Sequence, residues 1–156
     1  MRYGPLADEG GFVTIGATTD LHLRLSVEGL THARGEEVLR TWAWAEVESV
    51  SLRLPGSRFP YPGAAFKAGM LAVTFAAQET FAVESGTSIA ELTAVGGDIH
   101  PLTIDHHLGG YWRPAVVTAE RLVGQFVTHP ERRYLLAHPH EVLARYVRAV
   151  RWHRRL

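Results

Sequence analysis

Residues 21–27, Leu-His-Leu-Arg-Leu-Ser-Val, alternate apolar and polar positions without a break. That two-residue period predicts a strand with Leu21, Leu23, Leu25 and Val27 toward a core and His22, Arg24 and Ser26 toward solvent. Glu28-Gly29 turns the chain into a short extended piece over 30–33. Arg34-Gly35-Glu36 reads as a hairpin loop before a β-branched and aromatic strand over 38–44. A second alternation sets Val50, Leu52 and Leu54 against Ser49, Ser51 and Arg53, and Pro55 ends it. Three prolines and two glycines within 55–63 predict a long exposed loop. Residues 64–77 suit either a strand or a helix; a strand is preferred, with a further strand over 81–84. Ala90, Leu92 and Ala94 then alternate with Glu91, Thr93 and Val95. Gly96-Gly97-Asp98 makes a hairpin turn into 99–105, where Pro101 marks a sheet edge or a bulge.

After Gly109-Gly110 the period changes from two to 3.6. Pro114 fits the first turn of a helix with Ala115, Ala119, Leu122, Val123, Phe126 and Val127 as its apolar stripe. Thr118, Arg121 and Gln125 lie opposite. His129-Pro130 interrupts this helix, and His138-Pro139 opens a last one whose Val142, Leu143, Tyr146, Val147 and Val150 point inward. The expectation is a single domain of α+β class, mainly β. It has about seven antiparallel strands over 19–108 and two helices over 112–152, after a Gly-rich, partly ordered segment at 1–18.

Two stretches carry a family resemblance: Leu25-Ser-Val-Glu-Gly-Leu-Thr31, and Thr41-Trp-Ala-Trp-Ala-Glu-Val-Glu-Ser-Val50. Together they resemble the opening of bacterial PH-like domains, in which a strand meets a Gly turn and a Trp leads one helical turn into the next strand. The resemblance covers 21–54 best, 69–105 loosely and the helical end in outline. It implies a partly open antiparallel barrel closed by a C-terminal helix. Lipid-binding members carry several basic residues around the first hairpin, for charge-assisted bonds to inositol phosphates. Here that hairpin offers Arg34 beside Glu36 and Glu37, and the chain ends in two helices, so phosphoinositide binding is not implied.

Composition narrows the functional classes. An apolar fraction of 46% and a charged fraction of 21% describe an ordinary globular chain of 156 residues. Sixteen basic residues balance sixteen acidic ones, which argues against a nucleic-acid partner for the chain as a whole. The balance is uneven, because five arginines and no acid follow from Arg145 onward. With no cysteine there is no disulfide, thiolate nucleophile or thiolate-bound zinc. Arginine outnumbers lysine fifteen to one, as in a GC-rich bacterial coding sequence. Met1-Arg-Tyr-Gly-Pro5 leads into acidic, Gly-rich sequence without an apolar run, and the longest apolar run, 68–77, is too short to span a bilayer. A cytoplasmic location is expected.

Nine histidines raise a metal question. On a strand His100 and His106 lie about 20 Å apart, too far for one ion. Only Asp105, His106 and His107 remain as metal candidates, and adjacent strand residues point to opposite faces. His129-Pro130 and His138-Pro139 sit where helices should start, and read as helix punctuation. The serines at 26, 49, 51, 57, 85 and 88 lack a G-x-S-x-G elbow, and there is no phosphate-cradling G-x-x-x-x-G-K-[ST] loop. No catalytic residue and no cofactor is assigned, and a metal-dependent enzyme is the weakest reading. Two surfaces stand out. The loop residues Arg58, Phe59 and Tyr61 set aromatics among prolines, suited to a protein partner or to self-association. The final helix carries Arg145, Arg148, Arg151, Arg154 and Arg155 beside Trp152, suited to a polyanion or an anionic membrane surface. Alternatively those cations simply complement the helix dipole. The expected function is a non-enzymatic binding or scaffolding module for a protein partner, with peripheral membrane or polyanion binding through the last helix as the second reading.

Overall fold

The computed structural model describes residues 2–57, 88–105 and 110–152. Six strands follow one another as an antiparallel meander: β1 (Arg2–Tyr3), β2 (Leu6–Glu9), β3 (Phe12–Gly16), β4 (Leu21–Leu25), β5 (Gly29–Arg34) and β6 (Glu37–Ala43). A 3-10 turn (Trp44–Glu46) carries the chain into β7 (Val47–Arg53), and β8 (Gly56–Ser57) follows. Next come β9 (Ser88–Ala94) and β10 (Ile99–Ile104), which form a second antiparallel sheet in the order β10-β9-β7. β11 (Tyr111–Trp112) pairs in parallel with β8 and runs into α1 (Arg113–Thr128). A 3-10 segment (Pro130–Ala137) and α2 (Pro139–Trp152) complete the described chain.

Local chemistry accounts for the joints. The Trp44 indole N–H donates to the Ser26 carbonyl at 2.8 Å, and the Glu46 carboxylate accepts from the Ala43 N–H at 2.8 Å. The turn into β7 is therefore tied at both ends. At one corner the two sheets meet: the Asp105 N–H donates to the Leu21 carbonyl at 2.7 Å, and the Asp105 carboxylate accepts from the Leu21 N–H at 3.0 Å. The described strands form open sheets rather than a closed barrel. α1 lies on β7, where Glu120 accepts from the Leu52 N–H at 3.2 Å, and α2 packs across β1 to β3. Leu6, Val13, Leu23, Trp44, Phe126 and Tyr146 belong to one buried cluster spanning both sheets and both helices.

Several expectations change. The Gly-rich start is not a loose segment: it supplies β1 to β3, and Leu6, Val13 and Ile15 are fully buried. The described residues contain eleven strands, of which seven, β4 to β10, fall within 19–108 and four lie before or after it. Within 55–63, Gly56–Ser57 is a short strand and not free loop. Val27 is exposed, because β4 ends at Leu25 and the chain turns there. Thr118, placed on the polar side of its helix, is buried and satisfies its hydroxyl by donating to the Pro114 carbonyl at 2.7 Å. Pro101 does lie on an edge strand, β10. The proposed strands at 64–77 and 81–84 lie outside the described residues.

His22 is the clearest correction. It sits on the side of β4 opposite the leucines, as the alternation requires, yet is 1% exposed. Its Nδ1 lies 2.7 Å from the Asp20 carbonyl, and its Nε2 accepts from Arg24 Nε at 3.0 Å. Both contacts suit a neutral ring protonated on Nδ1. Burial holds the imidazole pKa below its ordinary value of 6.5, and the Arg24 cation adds to this against the Asp20 carbonyl. The unfolded chain therefore binds the proton more readily. The stability contributed by neutral His22 is complete above pH 6.5 and is lost as pH falls below it toward the lower folded value. Urea midpoints measured at pH 7 and pH 5 should fall less in His22→Gln than in the parent. Equal falls would remove His22 from the pH response.

Candidate functional site

α1 and α2 are joined by the 3-10 segment (Pro130–Ala137), and the three pack against one another. Between the three lies a cleft of about 590 Å³, within the size range of small-molecule sites. Its floor is apolar: Leu122 and Phe126 come from α1, Leu135 from the connector, and Val142, Tyr146 and Ala149 from α2. Its rim carries Arg121 and Gln125 from α1, Arg132 and Tyr134 from the connector, and Arg145 from α2. Among the described residues no acid lines it.

The floor is rigid. Tyr146, 2% exposed, donates its hydroxyl to the Ala115 carbonyl at 2.9 Å and meets the Tyr3 ring edge-on at 6.0 Å. Burial, reinforced by the neighbouring phenols Tyr3 and Tyr111, pushes its pKa far up, so it remains a neutral donor. Arg133, next to the rim, has a structural part. It donates to the Phe126 carbonyl at 2.8 Å and the Val127 carbonyl at 3.0 Å, closing the end of α1, and its guanidinium lies 5.5 Å from the Trp44 ring centre.

The rim is different. Arg132 donates to Gln125 Oε1 at 3.1 Å, which organises one side of the mouth. Arg121 and Arg145 are exposed, and among the described residues neither forms an ion pair. Glu141, one turn before Arg145, is exposed and outside the lining. Three exposed guanidiniums over an apolar floor, with no compensating carboxylate among the described residues, form a positive recess. Guanidinium forks match carboxylate and phosphate oxygens in geometry as well as charge. The recess presents no nucleophile beside a base.

The sequence-derived sites fare unequally. Arg145 enters the cleft. Arg148 and Arg151 are exposed on the same helix outside it, with Trp152 67% exposed beside them. Arg154 and Arg155 lie outside the described residues, as do the partner-binding candidates Arg58, Phe59 and Tyr61. Of the metal candidates, Asp105 is engaged at the sheet corner, while His106 and His107 are again outside; among the described residues no three metal-ligating side chains gather. His129 and His138 flank the 3-10 segment, each followed by a proline that starts the next helical stretch. Arg121, Gln125 and Arg132 were not singled out as a site. The signal that places the first two is their four-residue spacing on one helix face, but their convergence with Arg145 depends on how α2 crosses.

A second polar feature is buried. Trp42 is 4% exposed, its indole N–H has no hydrogen-bond acceptor among the described residues, and the Arg40 guanidinium and the His100 ring lie 4.8 and 5.7 Å from its ring. No helix among the described residues is long and apolar enough to cross a membrane. Compared with models of protein families, with characterised proteins and with solved structures, the chain matches none of them.

Proposed function

We propose that the chain is a non-enzymatic binding module whose capture surface is the cleft between α1 and α2, and that its ligand joins an anionic group to an apolar one. The observation that carries this is the lining itself: among the described residues, Arg121, Arg132 and Arg145 stand above an apolar floor with no acid beside them. An anion at the rim gains charge-assisted hydrogen bonds, and an attached hydrocarbon covers the accessible parts of Leu122, Leu135 and Ala149. What supports a PH-like build is local: the Gly29 turn into β5 and the 3-10 turn at Trp44 into β7.

Octyl phosphate tests the idea by calorimetry. One molecule should bind per chain, and octyl glucoside, with the same tail and no charge, should bind far more weakly. Arg121→Gln with Arg145→Gln should weaken octyl phosphate binding roughly ten- to hundred-fold while leaving the melting temperature near that of the parent. Equal affinity for the charged and neutral amphiphiles would refute the proposal.

A second reading, recognition of a protein partner by strand addition, is favoured by β6. Among the described residues it is the outer strand of its sheet, and it exposes Val38 and Leu39, 57% and 41% accessible. A partner engaging that edge leaves the cleft untouched, so loss of the cleft arginines separates the two readings.

A further inference from the structure

Resting on the cleft reading, we infer that the ligand is presented by a membrane: α2 and the cleft mouth dock on an anionic bilayer, with a lipid phosphate held between Arg121 and Arg145. Beyond the cleft, α2 carries Arg148 and Arg151, both exposed. Trp152 stands seven residues after Arg145, two turns along the same stripe and about 10 Å further on. At the rim, the connector exposes Tyr134 to 62%. The acid of α2, Glu141, is confined to its first turn. Cations that only complemented the helix dipole would give no reason for an exposed indole among them. Nor would they give a reason for Arg121 and Arg132, contributed by two other elements, to converge beside Arg145. Arginine with exposed tryptophan and tyrosine is the composition that fits a headgroup layer: guanidiniums reach phosphates, and amphipathic rings settle at the polar–apolar boundary.

Co-sedimentation with vesicles tests this on the full chain. Phosphatidylcholine vesicles containing about a third phosphatidylglycerol should carry the protein down at low salt, and pure phosphatidylcholine vesicles should not. Binding should weaken steeply as salt is raised. Arg148→Gln with Arg151→Gln should reduce vesicle partitioning roughly ten-fold or more, and Trp152→Ala should also reduce it. Both variants lie outside the cleft lining and should bind octyl phosphate as the parent does. Octyl phosphate binding without vesicle binding would overturn the membrane inference and leave the cleft reading standing. Failure of both would overturn the two together. Equal sedimentation with charged and uncharged vesicles would also overturn it.

Discussion

Tyr146→Ala is expected to destabilise the protein by about 3–5 kcal/mol, as for large aromatic side chains removed from packed cores. At this chain length that corresponds to a fall in melting temperature of roughly 10 °C. Tyr146 is among the largest fully buried side chains, and its ring packs against Tyr3 from the first strand. Its hydroxyl reaches α1 from α2. One residue therefore joins the N-terminal strands, both helices and the cleft floor. Tyr146→Phe keeps the ring and removes one hydrogen bond, so it should cost about 1 kcal/mol. The contrast between the two variants, read by thermal denaturation, separates packing from polarity. A melting temperature for Tyr146→Ala within about 2 °C of the parent would show that the helices are not anchored through this ring.

Gly16→Ala is expected to be comparably severe. Gly16 ends β3 with φ +100°, and a Cβ there would stand 2.7 Å from the Asp105 carbonyl oxygen. Both the strained backbone and the clash with another main chain contribute, each about 1–3 kcal/mol. The obstacle is the corner that joins the two sheets, where the Ala17 N–H donates to the same carbonyl at 2.8 Å. Gly97→Ala is the control. Its φ of +91° is similar, but nothing lies within 4 Å of the added carbon, so it carries the conformational cost alone. Chemical denaturation should rank Gly16→Ala clearly below Gly97→Ala. Equal stability would mean that the corner yields, and that the sheets are not held together at Asp105.

Alternation made β4, β7 and the β9–β10 hairpin legible, because each sets apolar residues on one face against polar residues on the other and has strong turn residues at its ends. The inward face of α2 was also plain: Val142, Leu143, Tyr146, Val147 and Val150 repeat at helical spacing, and all are buried. The N-terminal strands were hidden by their shortness. Four or five residues between glycines give too few positions for a period to declare itself, and the cover of α2 helps to turn Leu6, Val13 and Ile15 into core. His22 was placed on the correct face and given the wrong environment. Alternation reports direction, whereas burial there comes from what covers that face, including Arg24, a residue that reads as solvent-exposed on its own.

The site was legible in part for a similar reason. Arg145 drew notice as a member of a basic helix, and Arg121 and Gln125 were assigned to the polar side of α1. Periodicity along one helix says nothing about which polar residues of two helices end up facing one gap. That depends on the crossing of α1 and α2, set by Tyr146 reaching Ala115 and by the spacing of the 3-10 connector. The missing acid in the lining is likewise a property of three-dimensional neighbourhood, in a chain whose charges sum to zero.

Backbone amide chemical shifts followed during a titration with octyl phosphate report most directly whether the cleft is the capture surface. Saturable shifts should concentrate on Arg121, Gln125, Leu135, Arg145 and Ala149, with β4, β9 and β10 left still. Shifts that stay linear to high ligand concentration, or that gather on the β6 edge while the cleft residues do not move, would contradict it.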